Sequence, residues 1–169
     1  MIFIGIVTDS KSEDDIEQLL LKNNVLKENN VIFIKEKNID NIKNVHFDTV
    51  VVNRKFKKMD ELNKILDNAK NVIINMDVNG DNDEISVVDS NIITYGFNSK
   101  SSITISSVTD DDVLICVQRN IYNNEGVIEV QEIKIENNVN YTIYDLIVVL
   151  VLFLIYLPSQ ETIDINGIK

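Results

Sequence analysis

Residues 141–157 constrain the fold of this chain more than any other stretch. They read Tyr-Thr-Ile-Tyr-Asp-Leu-Ile-Val-Val-Leu-Val-Leu-Phe-Leu-Ile-Tyr-Leu, apolar nearly all round a helix. A helix with one apolar stripe needs one covering layer, whereas a helix apolar on every side must be enclosed. A bilayer is one such enclosure, but spanning it takes roughly 20 apolar residues. This run is shorter, Asp145 interrupts it, and no basic cluster lies beside it to set an orientation. It therefore reads as a helix enclosed by protein, in the core or in a dimer interface, and not as a membrane span. Pro158 stops it.

The first 75 residues supply material for the enclosure. Ile2-Phe3-Ile4-Gly5-Ile6-Val7 is a short continuous apolar run, the mark of a buried strand. Thr8-Asp9-Ser10-Lys11-Ser12 is a polar turn. Residues 13–22 follow as a helix, with Ile16, Leu19 and Leu20 on one side and Glu13, Asp14 and Asp15 in the first turn, where the helix dipole favours acids. Residues 31–35 and 49–52 are further β-branched strands, 57–70 carry a helical stripe (Met59, Leu62, Ile65, Leu66, Ala69), and 71–75 form a fourth strand. Strands alternating with helices predict a parallel sheet with right-handed crossovers.

The pattern changes after Met76. Residues 77–84 are a polar loop, and no helical period is visible from 85 to 136. Short strands are expected at 85–88, 91–95, 103–106, 113–118 and 127–135, the last with good alternation. The expectation is an antiparallel meander appended to the parallel part. The predicted fold is thus α/β and three-layered: a mostly parallel Rossmann-like sheet over 1–75, a β-meander over 85–136, and a buried C-terminal helical segment over 141–169, all in one domain. Residues 159–169 carry a short final helix in this reading.

Charge and cysteine narrow the function. The formal net charge is -11. That disfavours nucleic acid, whose phosphates require Lys and Arg, and anionic membranes. One cysteine, Cys116, lies within an apolar run and builds no disulfide or zinc site within one chain; it reads as a core thiol. The N-terminus has no basic region followed by a cleavage site, so a cytoplasmic protein is the default. The one histidine, His46, has no Cys or Ser arrangement around it and reads as structural. The segment 77–88 looks superficially like a calcium loop. Its glycine, Gly80, is at the fourth position where the sixth is needed, and Val88 stands where a bidentate Glu belongs. Asp110-Asp111-Asp112 is a charged turn that could attract a cation weakly. No metal site is expected.

Read together, several segments resemble the central domain of Mur ligases, the ATP-dependent enzymes that add amino acids to peptidoglycan precursors. Asn91-Ile92-Ile93-Thr94-Tyr95-Gly96-Phe97-Asn98 is similar to the strand and turn near the end of that domain. Asn75-Met76-Asp77-Val78 resembles the Asn-x-Asp-Asp strand end, with the second Asp lost. Phe47-Asp48-Thr49-Val50-Val51-Val52-Asn53 resembles a further family strand, Gly5-Ile6 the first strand and loop, and Asn138-Val139-Asn140-Tyr141 through Gly167-Ile168-Lys169 the closing helix. The resemblance covers nearly the whole chain, in order.

The departures concern chemistry. In the family a Gly-rich turn ending Gly-Lys-Thr/Ser cradles the phosphates. Here only Lys11 and Ser12 remain of it, both glycines are gone, and Asp9, Glu13, Asp14 and Asp15 would repel an anion. A family Asp-His pair is replaced by Lys57-Lys58. Glu36 is the one candidate for a family metal-binding Glu, and it is poorly placed. The resemblance spans the family's central domain, and neither flanking family domain is expected in this reading. The resemblance implies a degenerate, non-catalytic module acting through a protein partner or as a homodimer. The alternative is a nucleotide-binding module without ligase activity, in which Lys11, Ser12, Asn75 and Asp77 would keep vestigial contact with ATP or another nucleotide. Kinship of fold does not carry function with it.

Overall fold

An eight-stranded sheet runs through the middle of the molecule, in the order β10-β7-β6-β5-β4-β3-β1-β2. The computed structural model describes residues 1–24, 29–80, 85–123, 126–137 and 140–156. Residues 81–84 of the acidic loop, Asn138-Val139, Pro158 and the expected final helix within 159–169 lie outside the described residues.

The parallel part starts as the apolar runs require. β1 (Ile2–Val7) sits between β2 (Asn29–Ile34) and β3 (Thr49–Val52), and β4 (Asn71–Asn75) follows β3, all parallel. β3 and β4 are buried along their whole length, which is why they read as continuous apolar runs without alternation. Gly5 lets β1 pass under its neighbours: a Cβ there would lie 2.8 Å from Ile34 Cδ1 and 3.1 Å from the Phe47 ring.

The parallel arrangement extends further than the sequence pattern suggests. β5 (Asn91–Gly96) pairs with β4 in parallel along Asn71–Asn75, so it belongs to the Rossmann-like part and not to a meander. Among its described residues the β4–β5 crossover carries one short helix, α4 (Met76–Asn79), too brief to leave a helical period. Ile85 and Val87, expected in a strand, are irregular and pack as side chains against the core under α3. β6 (Ile103–Val108) meets β5 in parallel only at Tyr95–Ile103 and Gly96–Thr104. The antiparallel extension is then β6, β7 (Asp112–Val117) and β10 (Gln131–Glu136). The alternating run at 127–135 is broken: its start, β9 (Val127–Ile128), pairs with β8 (Ile121–Tyr122) in a separate small sheet.

Helices cover both faces. α2 (Ile39–Ile42) and α3 (Met59–Leu66, shorter than its apolar stripe) cover one face, burying Ile39, Leu62 and Leu66 against Val50, Val52 and Val72. On the other face α1 (Ser10–Lys22) packs beside α5 (Ile143–Tyr156). Nearly every side chain of α5 from Asp145 to Ile155 is buried, so the helix is enclosed by α1, the sheet and the small β8–β9 sheet. Each fully buried Val, Leu or Ile contributes roughly 1.5–3 kcal/mol, which makes α5 the main hydrophobic investment of this face. Cys116 differs from expectation. It lies on the outer face of β7, partly exposed, with its Sγ donating to Glu132 Oε1 at 3.5 Å. His46 is exposed, in the loop before β3.

Candidate functional site

In an open parallel sheet, ligands bind beyond the carboxyl ends of the strands, where the strand order reverses. Here the reversal falls between β1 and β3. Their carboxyl ends deliver Thr8-Asp9 and Asn53-Arg54, β4 delivers Asn75, and β5 delivers Tyr95. α1 begins directly after β1, so its unpaired N–H groups face this same point, where an anion would be favoured.

The chain fills that position itself. The Asp9 carboxylate caps α1, accepting from the backbone N–H of Lys11 at 3.1 Å and of Ser12 at 3.0 Å. Its other oxygen accepts from Arg54 Nε at 2.8 Å. The Ser12 backbone bond, then Arg54, hold the Asp9 carboxyl below the usual carboxylate range. A negative group with an arginine clamp therefore occupies the anion position of α1.

Beneath it lies a buried polar network. Asp145, fully buried in the first turn of α5, accepts from Ser12 Oγ at 3.2 Å, Thr142 Oγ1 at 2.6 Å and Asn53 Nδ2 at 3.2 Å. Asn53 is the hub: its Oδ1 accepts from Tyr95 OH at 2.5 Å and from Asn75 Nδ2 at 3.4 Å, and its Nδ2 also reaches Thr8 Oγ1 at 3.3 Å. Burial pushes the Asp145 carboxyl up, against the opposing bonds from Thr142 and Ser12. Burial also raises the Tyr95 phenol, and the nearby Asp145 charge adds to it.

A second layer lies nearer the surface. Asp77 Oδ2 accepts from the Phe97 N–H at 2.7 Å and from Tyr144 OH at 3.0 Å. Burial first, then the Asp77 contact, lifts the Tyr144 phenol to about 12. Arg54 lies over the Tyr144 ring at 6.0 Å, and Phe97 meets that ring edge-on at 6.3 Å. Gly96 permits this closeness, with φ at +149° and a would-be Cβ only 2.7 Å from the Asp77 carboxylate. Gly96→Ala is expected to cost roughly 1–3 kcal/mol through the strained backbone and the displaced Asp77, read as a lower midpoint in urea unfolding.

The residues read from sequence thus separate. Ser12 and Asn75 are joined through Asp145 and Asn53, both in structural bonds, and Asn75 also caps α4 by accepting from the Asp77 N–H at 3.1 Å. Asp77 belongs to the outer layer with Tyr144. The Lys11 side chain is exposed and joins neither. Glu36 accepts from the backbone N–H of Lys57 at 2.7 Å and of Lys58 at 3.3 Å, steadying the entry to α3. The members missed from sequence are Asn53, Arg54, Tyr95, Tyr144 and Asp145. Asp145, a lone acid inside an otherwise apolar helix, was the signal available. No group of three or more metal-binding side chains occurs among the described residues, and no helix there is long and apolar enough to cross a membrane. No protein-family model matches the chain, and no curated protein matches it.

Proposed function

We propose that this chain is a non-catalytic module of Mur-ligase-like descent that acts by contact with protein, either a partner or a second copy, in a process linked to cell-wall metabolism. The observation that supports it best is the Asp9 carboxylate clamped by Arg54 at the start of α1. A nucleotide phosphate at this point would have to displace a like charge that already satisfies two backbone N–H groups. Asn75, one of the candidate nucleotide contacts, has its amide engaged with Asn53. Loss of the phosphate-loop glycines and of the Asp-His pair points the same way.

Titration with ATP and Mg²⁺ tests the reading. Up to about 1 mM nucleotide, thermal unfolding is expected to stay in place and calorimetry to record no binding heat. A site with a dissociation constant near 10 μM would stabilise by about 2.7 kcal/mol at that concentration. Such a shift, lost in Lys11→Ala, would replace the proposal with a nucleotide-binding module.

A further inference from the structure

The sheet ends in two edges of different character. β2 is uncharged, Asn-Asn-Val-Ile-Phe-Ile, and sets no register by charge. β10 is charged in alternation: Glu132, Lys134 and Glu136 lie exposed on the outer face, while Ile133 and Ile135 are buried on the face under α5. β10 pairs only with β7 among the described residues, and against those residues its other edge offers a row of backbone donors and acceptors.

The charge order of β10 is complementary to itself. Two antiparallel copies related by a two-fold axis place residues of the same face opposite one another. With the axis at Ile133, Glu132 of each copy lies opposite Lys134 of the other, and Ile133 lies opposite Ile133. Moving the register on by one pair sets Lys134 against Lys134 and Glu132 against Glu136, which repels. Moving it further, to Ile135, recovers unlike charges but pairs less of the strand. Opposite charges directly across an antiparallel pair stabilise, and like charges destabilise. Lys134 meets Asp112 at 2.6 Å within the chain, yet it is 65% exposed and its ammonium has further donors to offer.

We propose that a second copy of this chain adds to the free edge of β10 across a two-fold axis through Ile133, with Glu132 of each copy facing Lys134 of the other. The proposal rests on the reading of the domain as a contact module and names its partner and surface. Sedimentation of the full chain from about 10 μM to about 500 μM should show a dimer. Glu132→Lys and Lys134→Glu should each raise the dissociation constant at least about tenfold, since each sets like charges opposite one another twice. The double variant Glu132→Lys/Lys134→Glu should restore the dimer, and so should an equimolar mixture of the two single variants. Recovery in the mixture also shows that both variants are folded. A monomer throughout that range overturns the proposal and leaves the contact reading to the nucleotide titration. A dimer indifferent to both single variants overturns it as well.

Discussion

Asp145→Ala is expected to destabilise the domain by roughly 3 kcal/mol in urea unfolding, and Asp145→Asn by no more than about 1 kcal/mol. Alanine strands three donors at once: the buried Ser12 Oγ and Asn53 Nδ2 and the half-buried Thr142 Oγ1. Asparagine keeps an acceptor for Asn53, and both hydroxyls can rotate to suit an amide. The pair of variants also separates hydrogen bonding from charge. Burial raises the Asp145 carboxyl above its ordinary value of 3.8. Between the unfolded and the folded value, the folded state keeps a proton that the unfolded chain has released. Stability therefore falls as pH rises through that window and levels off above it. Asp9, held low, acts in the opposite sense: its contribution is present above the ordinary carboxylate value and is lost as pH falls through its lowered value. Because Asp9 is common to both proteins, the difference between wild type and Asp145→Asn isolates Asp145. That difference should shrink from acid to neutral pH. A flat difference would show that Asp145 titrates alike in both states.

Leu150→Asp is expected to abolish folding, seen as lost near-ultraviolet dichroism and dye binding by exposed apolar surface. Leu150 is 1% exposed, on α5 away from the side that carries Asp145, and belongs to the hydrophobic core of this face. An unpaired carboxylate there must stay protonated or open the core. Its cost adds to the loss of a buried leucine, itself about 2–5 kcal/mol. The total is comparable with the whole stability of a typical domain, about 5–15 kcal/mol. The same residue type in the same helix is accommodated at position 145 because Ser12, Thr142 and Asn53 meet it. A folded, cooperative Leu150→Asp protein would show that α5 is less enclosed than its burial indicates.

β1, β3, β4 and the enclosed α5 were legible because burial on all sides leaves an uninterrupted apolar run, whatever the tertiary detail. β5 was not recognised as parallel because the described residues of its crossover hold a single helical turn, α4, and periodicity needs several turns to register. The run at 127–135 alternates straight through the break at Glu129-Val130, so composition carried no trace of the step from β9 to β10. Less of the candidate site was legible. Ser12 and Asn75 were singled out as nucleotide contacts; the fold places them in a hydrogen-bonded network whose other members stand 133 residues away in the case of Asp145 and 22 in the case of Asn53. Nothing local encodes those meetings. Asp9 was read as an acid that repels phosphate; the fold shows it as the N-cap of α1, accepting from the backbone N–H of Lys11 and Ser12.

The packing of α5 beside α1 has a consequence for how the chain reaches this fold. α5 follows every described strand in sequence, yet it covers the face of the sheet that α1 begins to cover. Until α5 has left the ribosome, Ile93, Ile115 and Ile133 have no layer above them. The slow step of folding should therefore be the long-range docking of the last described helix onto the first, a closure of high sequence separation. A chain paused before α5 would display a bare sheet face, the surface that chaperones hold and that aggregation begins from.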